Sequence, residues 1–357
     1  MLKDLAPAPR QTVLRAFTNS NSWPIVLFQP SSLLSMTRFT RNYFVATVIA
    51  LFLAVFAFPL RAQALDYYVS TIGNDSSDGS SANPWLTIQH AASVVAAGDV
   101  VHVAPGTYVG PVIVSASGTS TSRIRFVSDS QFGAQIRTSS ADAVWTNNGD
   151  YVDIEGFDIA GDSSTYLGIV NWGSFVRIIG NLVHDIPAPN AYQTGRGGAG
   201  IEHANYSAHD NDIIGNIVHD IGDYASPNPS VHGIYHANLR GRVWNNVSYR
   251  NQGWGIHLWH SAYQISVCGN LVHNNGYGGI LVGGDPDTDD FTEVKNNMVM
   301  YNGRYGISEY GSTGTHNQYL NNVVYQNVLG SYNLQNGLSD SGTVGADSNS
   351  SPAAWLW

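Results

Sequence analysis

The chain of 357 residues holds one cysteine, Cys268, and two lysines, Lys3 and Lys295. A single cysteine excludes an internal disulfide, even in an oxidising compartment that would permit one. Cys268 lies in an apolar-alternating segment, which predicts a small core residue rather than a thiol nucleophile. Charge is sparse, at 12% of residues. From residue 65 onward ten Lys and Arg face 25 Asp and Glu, a net of −15. That balance supplies no basic patch for phosphates and excludes nucleic acid as a partner. It also argues against a broad electropositive surface for a polyanion. Glutamate is scarce: the whole chain has only Glu155, Glu202, Glu293 and Glu309. What is abundant is Asn, Gly, Tyr, Trp and Ser, a composition common in extracellular proteins that handle carbohydrate.

The N-terminal part reads as a leader. Arg38 and Arg41 precede an apolar run, Tyr43 to Leu60, followed by RAQA at 61–64. This predicts a signal peptide over 36–64 with cleavage after Ala64. Pro59 and the small-residue site argue against a permanent membrane span. Met36 stands just ahead of the basic flank, so 1–35 reads as an over-extended gene start or a pro-segment. The expectation is a secreted monomer, extracellular or periplasmic, with one domain over 65–357 and no membrane association after cleavage.

The rest of the chain repeats itself. One pattern is an apolar alternation ending in Gly-Asn or Asn-Asn: RIIGNLVHD (177–185), DIIGNIVHD (212–220), RVWNNVSYRN (242–251), SVCGNLVHNN (266–275), EVKNNMVMYN (293–302) and YLNNVVYQN (319–327). The other is Gly-Ile opening a short strand, at 168, 200, 233, 255, 279 and 306, with spacings of 32, 33, 22, 24 and 27. A period of about two dozen residues built from short strands marks a β-solenoid. The column Asn181, Asn216, Asn246, Asn270, Asn297, Asn322 supports it: a turn repeated on every coil lets each Asn side chain bond the next.

With these repeats the chain resembles the right-handed parallel β-helix proteins, the group that includes pectate lyases, alginate and chondroitin lyases and mannuronan epimerases. The head, DYYVSTIGNDSSDGSSANPWLTIQHAASVVAAGDVVHVAPGTY (66–108), is similar to the opening of many secreted members. The resemblance spans nearly all of 65–357. It implies an all-β, right-handed parallel β-helix with a short N-terminal capping helix at IQHAASVVAAGD, and a groove along the Gly-Ile strand that binds polysaccharide. It is specific for fold and not for reaction, because this fold hosts several chemistries.

Side chains alternate in and out along a strand, and equivalent positions stack about 4.8 Å apart. With the Gly of Gly-Ile as position zero, Ile at position one faces the core. Position two faces out: Val170, Glu202, Tyr235, His257, Leu281, Ser308. Position four also faces out: Trp172, Ala204, Ala237, Trp259, Gly283, Tyr310. Position three faces in, which makes His203 and His236 mutual partners in the interior rather than surface groups. Glu202, Tyr235 and His257 then stand on three consecutive rungs. Two insertions, 186–199 and 221–231, run into these strands and wall a cleft around them. His184, His219 and His273, with Tyr249, Met300 and Tyr325, form a separate surface column.

The favoured chemistry is β-elimination on a uronate-containing polysaccharide, with Tyr235 and His257 as the acid–base pair. Glu202, His232 and His236 complete the catalytic candidates. Arg196 or Arg240 would face the uronate carboxylate bidentately. Asn238, His260, Trp172, Trp259 and Tyr310 are candidates for the substrate-binding edge. Many β-helix lyases use a lysine or arginine base, and several use calcium. Lys295 lies in the Asn-turn repeat, which excludes it as the base. Asp285, Asp287 and Asp289, alternating in an acidic loop, are candidate calcium ligands. Other readings stay open. A glycoside hydrolase needs two carboxyls within about 10 Å. Glu202 and Glu309 are four rungs apart, about 19 Å, leaving Asp223 as the partner. The epimerases' tyrosine-glycine-x-aspartate-proline-histidine run is absent here. A non-catalytic glycan-binding solenoid would need only the aromatics. A metal site of Glu202, His232, His257 and His260 is divided between inward and outward faces.

Overall fold

The computed structural model describes residues 64–138, 141–336, 338–339 and 344–346. The expected leader and gene start therefore lie outside the described residues, apart from Ala64, as does most of the tail. The described chain is a right-handed parallel β-helix of about 9 turns. Its strands form three parallel sheets of eleven, nine and ten strands. Successive strands go to different sheets, so every strand pairs with its equivalents one coil away. A helix at Ile88–Val94 caps the start, with Thr87 accepting from the His90 N–H and Ile88, Ala91 and Ala92 buried. Among the described residues no helix is long and apolar enough to cross a membrane.

The period-2 alternation explains the core. In the eleven-stranded sheet Ile154, Ile178, Ile213, Val243, Val267, Val294 and Tyr319 stack rung on rung. The nine-stranded sheet contributes Ile169, Ile201, Ile234, Ile256, Ile280 and Ile307. All of these are fully buried. β-Branched side chains suit these columns because they pack on a pleated surface with little rotamer freedom to lose. The glycine before each Ile marks a corner where two sheets approach. A Cβ on Gly200 would lie 2.4 Å from Val218 Cγ1, and one on Gly255 would lie 2.4 Å from Val272 Cγ1.

The asparagine column forms as expected. Asn246 Oδ1 accepts from the Asn216 backbone N–H at 2.9 Å and from Asn216 Nδ2 at 3.0 Å, and Asn246 Nδ2 donates to Asn270 Oδ1 at 3.0 Å. The pattern continues through Asn297 to Asn322. A second ladder runs through Asn251, Asn275, Asn302 and Asn327. Its residues end the quoted repeats, but its role was not read from them. The exterior histidine column is also present: His184, His219, Tyr249 and His273 stack face to face.

Cys268 corrects the sequence reading. Val267 is fully buried, so alternation turns Cys268 outward, where it is half-buried and 3.9 Å from Asn296 Nδ2. Cys268→Ser is therefore expected to change unfolding free energy by less than about 0.5 kcal/mol. A loss well above 1 kcal/mol in denaturant titration would return the residue to the core.

Candidate active site

The nine-stranded sheet sets the site. Glu202, on strand Gly198–His203, lies opposite Tyr235 on strand Val231–His236. Tyr235 in turn lies opposite His257 on strand Trp254–Leu258. The register that put position two outward thus holds across all three rungs. The two insertions supply the walls. Gly195–Gly198 from the first, which includes a one-turn helix at Ala191–Thr194, and Pro229–Ser230 from the second line a cleft of about 380 Å³. Glu202, His232, Tyr235, His257, Trp259 and His260 also line it, with Tyr206.

Within the cleft, His232 stands at the centre, as a catalytic candidate should. Its ring stacks on Tyr235 at 5.0 Å and meets His257 edge to face at 4.3 Å. His257 Nδ1 is 3.1 Å from His232 Nδ1, so one imidazole donates its N–H to the other. Tyr235 meets His257 edge to face at 5.2 Å. Burial holds His232 down at about 3 and lowers His257 as well, with His232 adding to the second effect. Both rings are therefore neutral near pH 7. Burial raises the Tyr235 phenol far above its ordinary range, so it carries its proton. Burial also raises Glu202 to about 7, and among the described residues no hydrogen bond or ion pair offsets it. The cleft thus combines two neutral bases, one phenolic acid and a carboxyl that titrates near neutrality.

Other predicted residues fall elsewhere. His236 is fully buried inside the solenoid, edge to face with His203 at 4.8 Å, and does not line the cleft. Asn238 is fully buried as well, which removes it from the binding edge. Arg240 lies on the eleven-stranded sheet and pairs with Asp210 through two hydrogen bonds of 2.9 and 2.7 Å, so it cannot meet a substrate in this cleft. Arg196 does line the cleft, but its guanidinium pairs with Asp142 and lies 4.3 Å above the Tyr166 ring. Trp172 is exposed but outside the cleft lining. Trp259 stacks with Tyr310 at 5.9 Å and an interplanar angle of 15°.

The candidate calcium ligands do not converge. Asp289 is buried and bonded by Thr292, while Asp287 is exposed and accepts from the Ser261 hydroxyl. At Asp285 it is the backbone carbonyl, not the carboxylate, that accepts from His260 Nδ1, 2.9 Å away. Among the described residues no group of three or more His, Cys, Asp or Glu is disposed to hold a metal. Glu309 points inward, as its position three predicts, and accepts from the Tyr319 hydroxyl at 2.8 Å. Asp223 lines a separate depression between the two insertions, so among the described residues Glu202 is the one carboxyl lining the main cleft.

Tyr206 was missed. Its ring lies 4.1 Å from His260, and burial with nearby Glu202 raises its phenol. It sits in a turn after the strand, where the repeat sets no register. The only signal available was its sequence distance of four residues from Glu202.

Residues 71–112, the capping helix and first coil, match a family model described as a protein of unknown function (DUF1565). No curated protein sequence matches. Among solved structures, a pectate lyase, Pel9A, is similar at a TM-score of 0.63 and 17% identity, covering 81% of this chain and 79% of that one. The A-module of the mannuronan C-5 epimerase AlgE4 of Azotobacter vinelandii is similar at 0.54 and 13% identity, over 70% of this chain and 67% of that one. A rhamnogalacturonan lyase is similar at 0.53 and 18% identity, over 73% and 74%. The likeness is one of fold, and by fold the chain is a parallel β-helix protein of the pectate-lyase-like architecture.

Proposed function

We propose that the protein is a secreted carbohydrate-active enzyme, a polysaccharide lyase that cleaves a uronate-containing glycan by β-elimination. The observation that carries this reading is the convergence of a neutral imidazole pair, a protonated phenol and a neutral-range carboxyl on one walled cleft. Each has a task. The His232–His257 pair removes the proton from the carbon α to the uronate carboxylate. Protonated Glu202 donates to that carboxylate and stabilises the charge that builds on it. The electron pair forms the new carbon–carbon double bond as the glycosidic C–O bond breaks, and the Tyr235 hydroxyl protonates the departing oxygen. A single carboxyl at the cleft disfavours hydrolysis, which requires two. The fold neighbours named above include two lyases, which supports the choice of reaction class.

The test is a panel of uronate polysaccharides followed by ultraviolet absorbance of the conjugated double bond. New reducing ends without that absorbance would indicate a hydrolase and refute the proposal. The pH profile tests Glu202. Its pKa is raised in the fold, so the proton is held below about 7 and lost above it. Activity is expected to fall as pH rises through about 7. Glu202→Gln, permanently neutral, is expected to keep activity and lose that alkaline limb. The same variant should gain thermal stability above about pH 7 and show no gain below 4.5, the ordinary value of the group. An unchanged activity profile in Glu202→Gln would remove Glu202 from the mechanism.

A further inference from the structure

Of the ten Lys and Arg from residue 65 onward, nine form an ion pair with a carboxylate. The tenth, Arg304, has no carboxylate partner among the described residues. Its guanidinium is exposed, lies 4.8 Å above the Tyr277 ring and donates to the Tyr277 hydroxyl at 3.0 Å. Arg304 lines a second cleft of about 470 Å³ that shares Pro229, His257 and Trp259 with the first. Trp254, Tyr277 and the stacked Trp259–Tyr310 pair give this part an aromatic surface. Its carboxyl neighbour Glu309 is buried and already accepts from Tyr319 and from the Gln335 and Asn336 N–H groups, so it does not answer Arg304.

A positive charge with no carboxylate partner among the described residues is the exception in so acidic a chain, and here it is fixed on an aromatic ring beside the acid–base cluster. We propose that this second cleft is an anionic-sugar subsite. Arg304 binds the carboxylate of a sugar unit through its planar fork, and the aromatic rings stack against the sugar's apolar faces. Arg304 begins the rung two above His257, about 10 Å along the axis. The carboxylate it holds therefore belongs to a different unit from the one undergoing elimination. The substrate class follows: a polyuronate, with acid groups on more than one unit, rather than a neutral glycan bearing an isolated uronate. The net charge of the chain excludes a broad basic surface but not one positioned guanidinium.

This inference rests on the lyase reading for the orientation of the substrate, and its test separates the two. Binding is measured by calorimetry on the full-length Tyr235→Phe variant, which retains the cleft. The probes are trimers of galacturonate, mannuronate, guluronate and glucuronate, each with its carboxyl-reduced neutral counterpart. At least one uronate trimer is expected to bind more tightly than its neutral counterpart. Arg304→Gln should weaken that trimer by about tenfold or more, leave the neutral one unchanged, and reduce the salt dependence of binding. Arg304→Lys, which keeps the charge but not the fork, should fall between. Equal weakening of acidic and neutral trimers, unchanged binding in Arg304→Gln, or no uronate trimer binding at all would each overturn the subsite. Selective uronate binding with no unsaturated product from the unmutated protein would leave the subsite standing and sink the lyase. Unsaturated product with unchanged binding in Arg304→Gln would do the reverse.

Discussion

Tyr235→Phe is expected to lower kcat by about 100- to 10,000-fold with little change in KM, the range for loss of a positioned acid or base. The substitution is selective because the phenol ring already has its contacts. It stacks on His232 and meets His257 edge to face, and phenylalanine keeps both. Only the hydroxyl is lost, and with it the proton for the leaving oxygen. His257→Ala should cost at least as much, since it also strips His232 of its imidazole partner. His232→Ala should resemble His257→Ala, because the two rings share one proton between them. A double variant should be no worse than the more damaging single one if the two act as a unit. Rate assays on purified proteins, with circular dichroism confirming the fold, decide the matter. Full activity in both Tyr235→Phe and His257→Ala would eliminate this cluster as the acid–base site.

Asn246→Ala is expected to lose about 4 kcal/mol of stability. Two buried donors, the Asn216 backbone N–H and its Nδ2, lose their shared acceptor, and each orphaned donor costs about 1–3 kcal/mol. Asn181→Ala should cost about half as much, since Asn181 Oδ1 accepts only from the Phe157 N–H. Urea denaturation of both variants measures the difference. Equal losses, or a loss under about 1 kcal/mol for Asn246→Ala, would mean that the ladder is incidental to stability.

The features that could be read ahead share a cause. Rung-to-rung stacking obeys one period, so a residue's offset from Gly-Ile gives its face and its neighbours. That is why Glu202, Tyr235 and His257 were found together, and why His203 and Glu309 were turned inward. Residues in the turns follow no such offset. Tyr206, Tyr277 and Arg304 were not anticipated. The arginines went astray for a different reason. Arg196 and Arg240 looked free because their partners, Asp142 and Asp210, are 54 and 30 residues away in sequence. Arg304 is identified only once the other nine cations have been matched with carboxylates. Cys268 was misassigned because an apolar-alternating strand contributes residues to both faces, and Val267 had taken the inner one.

In the nine-stranded sheet, the strands bearing Glu202, Tyr235 and His257 are the fourth, fifth and sixth from the N-terminal edge. Because each rung is hydrogen-bonded only to the rungs on either side, a stack of this kind wears from its ends. Coils at either edge are the first to open and the first to meet a protease. The acid–base cluster, at the midpoint, is the last part of the sheet that such erosion reaches. That position preserves the cluster independently of the strength of any single bond.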